Sequence, residues 1–143
     1  MRKPTVTIIL SLLSMLAFAQ EQRPFDTELV NAEHKVCLRI NLYDHNLKIS
    51  GQELLGEVDG YMYSPQSHSK WFIVGSEIKN SKTAVIEMVN DYGSEDLTAE
   101  LKLNNDGTYT YKKTSGSTLK FAVRGKWQKL PSKIDFEPKV KKQ

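Results

Sequence analysis

The chain has 143 residues, of which 39% are hydrophobic and 26% are charged, and its formal net charge at pH 7 is +3. This length predicts a single globular domain, and the near balance of basic and acidic residues argues against a nucleic-acid-binding protein. The only cysteine is Cys37, which excludes a disulfide bond within the chain.

The N-terminal residues have the three parts of a secretory signal peptide. Arg2 and Lys3 supply the positive charge, residues 6–16 the apolar run, and Ala17 and Ala19 the small residues that a signal peptidase recognises. We expect cleavage after Ala19 and a mature protein in the periplasm or the medium. The apolar run is shorter than the ~20 residues of a membrane-spanning helix, so we expect no stable membrane span after cleavage.

The mature chain, residues 20–143, is predicted to form one β domain. Its charge is nearly balanced, because cleavage removes two basic residues with the signal peptide. Residues 21–31 are polar and mixed, and we expect either a short helix over residues 27–33 or no regular structure there. No internal repeat or long linker divides the rest of the chain.

Alternation of apolar and polar residues, which is the period of a β-strand, begins near residue 36 and recurs through the rest of the chain. In the first such segment we expect Cys37 to be a buried, inert thiol, with an intermolecular disulfide as the alternative. Residues 71–74 and 84–89 are apolar on both faces, as in strands covered on two sides. Seven or eight strands with short connections predict an all-β antiparallel meander closed into a small up-and-down barrel; a sandwich or an open sheet is the alternative.

The register of one hairpin can be predicted from its side chains. Opposed residues of antiparallel strands share a face, so apolar faces match only if residues 105–107 form the loop and Leu103 lies opposite Tyr109. The last residue of such a three-residue loop is left-handed, a conformation that Gly107 adopts at low cost.

The same reasoning predicts a second hairpin directly after the first. Residues 114–116 would form its loop, with Gly116 in the left-handed position and Tyr111 opposite Leu119. The two hairpins would then share one apolar face.

The sequence contains no recognisable arrangement for catalysis. It has no Gly-rich phosphate loop, no nucleophile elbow and no Cys-x-x-Cys pair. The three histidines have no partners at metal-ligand spacing, and the acidic loop of residues 90–96 lacks the spacing of a calcium site. We therefore predict a protein that is not an enzyme and uses no metal or cofactor.

The strongest candidate for a binding site is the polar loop of residues 64–70, which is flanked by Tyr63 and Trp71. Loops at the end of a sheet commonly carry recognition, and aromatic side chains supply rigid contact area. The alternative is a plain connecting loop whose flanking rings lie in the core. A separate candidate is Glu87, a carboxylate in an apolar run that either lines the barrel or points outward. The residues expected to touch a ligand or partner are Tyr61, Tyr63, Gln66, His68, Lys70, Trp71 and Glu87.

The segment Gly125-Lys126-Trp127 has the letters of the lipocalin Gly-x-Trp motif. Lipocalins carry this motif on their first strand, whereas here it lies near the end of the chain, so no lipocalin residue is carried over. The whole mature chain, and especially residues 91–97 and 125–131, resembles small exported bacterial proteins that have no assigned activity. That resemblance implies an exported β protein and nothing about its chemistry.

Two functions fit these expectations. The first is a non-catalytic exported module that binds a small molecule, a glycan or a protein. The second is an inhibitor or immunity-type protein that blocks a periplasmic or extracellular enzyme. A carrier of small molecules needs a barrel cavity of at least ~300 Å³, whereas an inhibitor needs a filled barrel with a protruding loop or an exposed apolar patch.

Overall fold

Eight antiparallel strands close into a barrel, which confirms the predicted all-β up-and-down fold. A computed structural model describes residues 22–140. The predicted signal peptide lies outside the described residues. In the described part of the chain the strands are β1 (Asp26–Asn31), β2 (Val36–Asn41), β3 (Leu47–Lys48), β4 (Glu57–Val58), β5 (Gly60–Tyr63), β6 (Lys70–Ile78), β7 (Thr83–Asn90), β8 (Asp96–Leu103), β9 (Tyr109–Gly116), β10 (Lys120–Val123), β11 (Lys126–Lys129) and β12 (Lys133–Pro138), and one 3-10 turn covers Glu53–Leu55.

The barrel order is β1-β12-β9-β8-β7-β6-β5-β2, and β2 pairs with β1 to close the ring. Two short hairpins stand outside this ring. The β3–β4 hairpin lies in the connection from β2 to β5, and the β10–β11 hairpin lies in the connection from β9 to β12. No helix within residues 22–140 is long and apolar enough to cross a membrane.

The predicted short helix over residues 27–33 is wrong, because this segment forms strand β1. Leu29 is fully buried, and β1 pairs with β2 on one side and with β12 on the other. Residues 26–31 form a strand because they close the barrel. Without β1, the strands β2 and β12 would both have unpaired edges. A polar segment therefore becomes a strand because two neighbours supply hydrogen-bond partners.

The first predicted hairpin has the expected register. Leu103 lies opposite Tyr109, and Leu101 lies opposite Tyr111. Residues 105–107 form the loop, where the Gly107 N–H donates to the Asn104 carbonyl over 3.1 Å. Gly107 has a φ of 87°, as predicted for the last position of this loop.

The second predicted hairpin is wrong, although Gly116 does have the expected positive φ, of 95°. Strand β9 continues through residues 114–116 and pairs there with β8. Tyr111 lies opposite Ile134 of β12 on its other side, and not opposite Leu119. Residues 119–121 and 134–136 both offer alternating apolar side chains, so matching faces could not distinguish the adjacent segment from the distant one.

Apolar side chains fill the interior of the barrel. The largest fully buried side chains of the described residues are Trp71, Tyr111, Phe25, Phe121, Phe136, Leu29, Leu38, Ile40, Met62, Ile73, Ile86 and Met88. A ligand-sized cavity would leave the side chains around it accessible to water, yet these side chains have almost no accessible surface. The barrel is therefore a packed core and not a container.

A second, smaller apolar cluster lies on the outside of the barrel. It consists of Phe72 of β6 packed under Ile49 and Val58 of the β3–β4 excursion, with Tyr61 and Val89 at its edge. The outer face is covered at Phe72 and Val89, as the sequence predicts for doubly apolar strands, but it is exposed at Val74 of β6 and Glu87 of β7. Elsewhere in the barrel wall Cys37 is also buried, as expected.

Candidate binding surfaces

Three connections meet at one end of the barrel. Strands β5, β7 and β9 run in the same direction, so residues 64–69, residues 91–95 and the β10–β11 hairpin follow their C-terminal ends. We call this region the end surface. The Trp71 Nε1–H donates to the Lys120 carbonyl over 2.9 Å, and the Ala122 N–H donates to Ser69 Oγ over 3.1 Å. These two hydrogen bonds therefore hold the β10–β11 hairpin across the end of the barrel.

The β10–β11 hairpin has one buried and one exposed face. Arg124 and Gly125 form its turn, with φ values of 53° and 77°, as in a type I′ turn. Phe121 points into the core and is fully buried. Trp127, opposite Ala122, belongs to the other face, and 53% of its surface is exposed. The hairpin thus holds an indole ring in solvent.

Tyr92 stands beside Trp127 on the end surface and is 76% exposed. Both side chains line one narrow cleft. The Lys120 ammonium lies 4.9 Å from the centroid of the Trp127 ring and 3.0 Å from Glu95 Oε1. The Glu95 carboxylate and the Trp127 ring together hold the Lys120 side chain in place. Lys120 in turn limits the movement of the indole ring on that side.

A second concave surface lies on the side of the barrel, beside strand β5. It is a groove of about 310 Å³ lined by Lys48, Ile49, Ser50, Tyr61, Tyr63 and Lys70. We call it the side groove. Tyr61 and Tyr63 are two residues apart on one strand and point to the same face, with ring centroids 5.7 Å apart and planes inclined by 36°.

Hydrogen bonds fix the outer end of Tyr63. Its hydroxyl donates to Glu28 Oε1 over 2.6 Å, and Lys139 Nζ lies 3.2 Å from the same oxygen. The Tyr63 hydrogen bond, together with the nearby Lys139 charge, lowers the pKa of Glu28. Burial and the bond to the carboxylate raise the pKa of Tyr63 far above its ordinary value. The ring therefore stays neutral and in one position.

The predicted binding residues separate into several environments. Gln66 and His68 are exposed on the end surface, whereas Tyr61, Tyr63 and Lys70 line the side groove. The sequence predicts one site from the loop and its flanks, but the loop lies at the end of the barrel, whereas Tyr61, Tyr63 and Lys70 line a groove on its side.

Trp71, one of the predicted contact residues, requires correction, and for Glu87 the structure shows which of the two expected orientations is adopted. Trp71 is only 1% exposed, because its ring is part of the barrel core and its indole N–H is used to hold the hairpin. Glu87 lies on the exposed outer face of β7 opposite Gly75, so it does not line the barrel. The inward positions on either side of it, Ile86 and Met88, are fully buried.

Sequence reasoning missed Trp127, Tyr92 and Lys48. A signal for Trp127 was present, because Arg124 and Gly125 allow a two-residue turn that would separate Trp127 from the buried face of Phe121. Lys48 could not be found in this way. It lies in the side groove only because the β3–β4 hairpin packs against β6.

One cluster of Ser, His and Asp side chains also escaped the sequence analysis. The buried Asp59 accepts a hydrogen bond from Ser76 Oγ over 2.6 Å, and His45 Nδ1 lies 2.6 Å from its other oxygen. In a catalytic triad the histidine stands between the serine and the acid, so that it can take the serine proton. Here the Asp59 carboxylate lies between Ser76 and His45. It holds the segment before β5 in place by hydrogen bonds, but it leaves the histidine too far along the chain of bonds to take the Ser76 proton.

The chain matches no protein-family model, no curated protein and no solved structure.

Proposed function

We propose that this protein is a non-catalytic, exported interaction protein that binds another protein through its end surface, in the manner of an inhibitor or immunity protein. The observation that carries the proposal is Trp127, a half-exposed indole held on a hairpin that is itself fastened to the barrel. Tryptophan and tyrosine dominate the binding energy of protein interfaces. A ring that is rigid before binding loses little entropy on association.

The packed core supports a protein partner over a small molecule carried inside the barrel. Of the alternatives considered from the sequence, the carrier needs a cavity within the barrel, whereas the inhibitor needs a filled barrel and a protruding element. Fully buried Trp71 and Tyr111 occupy the space that a carried ligand would need. The β10–β11 hairpin supplies the protruding element.

The charge of the hairpin indicates the character of the partner. Between Leu119 and Leu130 there are four basic residues and no acidic one. The basic residues are Lys120, which is paired with Glu95, and Arg124, Lys126 and Lys129, which have no carboxylate of residues 22–140 within 4.0 Å. Complementary charge steers association and excludes wrong partners. We therefore expect an acidic protein surface with an apolar pocket for the Trp127 ring.

Replacement of Trp127 by alanine tests this proposal. The full chain, tagged at its C-terminus, is used to capture partners from envelope and culture-medium fractions, and the captured protein is identified by mass spectrometry. Loss of a central interface tryptophan costs at least ~2 kcal/mol, so the Kd of the purified pair should rise by about 30-fold or more in Trp127→Ala.

The matched control is Val74→Ala, which removes another exposed apolar side chain from the outside of the barrel. This variant should bind the partner as tightly as the parent. Thermal unfolding of both variants should match the parent, because both side chains are exposed. The proposal is wrong if Trp127→Ala binds every captured protein with the parent's affinity.

A further inference from the structure

We propose that the side groove is a second binding site, independent of the end surface, and that its ligand is an acidic oligosaccharide. The residues that line it are the aromatic Tyr61 and Tyr63, the basic Lys48 and Lys70, and Ser50 and Ile49. Each part of this set fits a different part of a charged sugar.

The two tyrosine rings form a platform that exists before any ligand arrives. Tyr61 packs against the outer apolar cluster, and the Tyr63 hydroxyl is held by Glu28. Their face is electron-rich, so it attracts the C–H bonds on the flat side of a pyranose ring. Two rings on one strand with centroids 5.7 Å apart can each take one sugar of a chain.

The charges around the platform select an anionic ligand. Lys70 lies directly across the strand pair from Tyr63, and Lys48 lies on β3 at the opposite wall. No carboxylate of residues 22–140 lies within 4.0 Å of either ammonium group, and Glu28, behind the platform, is paired with Lys139. The nearest carboxylates are Glu57, opposite Lys48 in the β3–β4 pair, and Asp91, which accepts a hydrogen bond from the Lys70 main-chain N–H over 3.3 Å. Both ammonium groups can therefore pair with the acid group of a ligand that lies in the groove.

A sugar fits this groove better than an acidic peptide does. A peptide cannot bind here by adding a strand to the sheet, because β5 is paired on both sides, with β2 and β6. A sugar needs only ring faces, hydroxyl partners such as Ser50, and a cation for its acid group. The groove provides these three.

Binding to immobilised sugars tests the proposal. The full chain is applied to an array of uronic-acid, sialic-acid and sulfated oligosaccharides together with their neutral counterparts, and the best ligand is then titrated by calorimetry. We expect an acidic oligosaccharide to be retained and its neutral counterpart to be lost. In the double variant Lys48→Ala, Lys70→Ala the Kd for that ligand should rise by about tenfold or more.

Three controls make the outcome decisive. Lys102→Ala, which removes an exposed lysine from β8, and the charge-preserving pair Lys48→Arg, Lys70→Arg should both bind like the parent. Trp127→Ala should also keep sugar binding, which separates this site from the proposed protein interface. The proposal fails if no acidic sugar is retained, if the double alanine variant binds unchanged, or if a poly-glutamate peptide binds as tightly as the sugar.

Discussion

Gly107 and Gly116 adopt nearly the same left-handed backbone for different reasons. Gly107, with a φ of 87°, ends an exposed loop, and a side-chain Cβ built there would meet no atom within 4 Å. Gly116, with a φ of 95°, lies opposite Leu97 in the β8–β9 pair, and its Cβ would stand 2.5 Å from the Asp96 carbonyl oxygen and 2.6 Å from the Leu97 Cα. Gly107 is needed only for the left-handed position of its turn. Gly116 is also needed because the β8 backbone lies too close for a side chain.

This difference predicts unequal costs for the same substitution. Gly107→Ala should lower the free energy of unfolding by about 1–2 kcal/mol, which is the cost of left-handed backbone for a residue with a Cβ. Gly116→Ala should cost at least ~1 kcal/mol more, because β8 must move away. Urea unfolding of the two variants measures both values. Equal costs would show that the β8 backbone moves away from Gly116 without loss of stability.

At the scale of elements, the β10–β11 hairpin combines a core face with a surface face. Phe121 is 2% exposed and belongs to the main core, whereas Trp127 on the other face points to solvent. Leu119 and Leu130 at the base of the hairpin are also buried, and they join through the bond from the Leu130 N–H to the Leu119 carbonyl. The hairpin is thus part of the barrel core and carries an exposed ring outward.

The two faces predict opposite results for two aromatic truncations. Phe121→Ala should lower the free energy of unfolding by about 3–5 kcal/mol, as expected for a buried phenylalanine. Trp127→Ala should change it by no more than ~0.5 kcal/mol, because the ring is half exposed. Denaturant unfolding of the two variants tests this. A large loss of stability in Trp127→Ala would mean that the indole serves the fold and not a partner.

At the scale of the whole molecule, burial keeps several tyrosines neutral in the folded state. Burial raises the pKa of Tyr111 and of Tyr109 above the ordinary value of 10.0, and burial with the Glu28 bond does the same for Tyr63. In the unfolded chain these groups lose their protons near pH 10. The folded protein then holds more protons than the unfolded one, so stability is full below pH 10 and falls as the pH rises above it.

Tyr111→Phe isolates one part of this alkaline instability. The Tyr111 hydroxyl is buried and has no hydrogen-bond partner among residues 22–140, so its removal should not lower stability at pH 7. Above pH 10 the free energy of unfolding should fall less steeply with pH in the variant than in the parent. Urea titrations at a series of alkaline pH values give both slopes. An identical slope would mean that Tyr111 ionises in the fold as it does in the unfolded chain.

Local pattern alone was sufficient for the fold class and for the first hairpin. Alternation identifies most strands because side chains on a strand point alternately to two faces, and this holds wherever the strand finally lies. The loop before Tyr109 could be predicted because its turn chemistry and the apolar faces of its strands involve only neighbouring residues. Tyr61, Tyr63 and Lys70, which line the side groove, could be chosen as candidates for the same reason, since aromatic and charged residues beside a loop are visible in the sequence.

Tertiary structure decided what depends on distant partners. Strand β1 exists because β2 and β12 need a closing neighbour, and β9 pairs with β12 because barrel closure brings a distant apolar segment beside it. The same closure turned Trp71 inward and Glu87 outward. Alternation in the sequence shows that the two faces of a strand differ. It does not show which distant segment covers each face, since that depends on where the barrel closes.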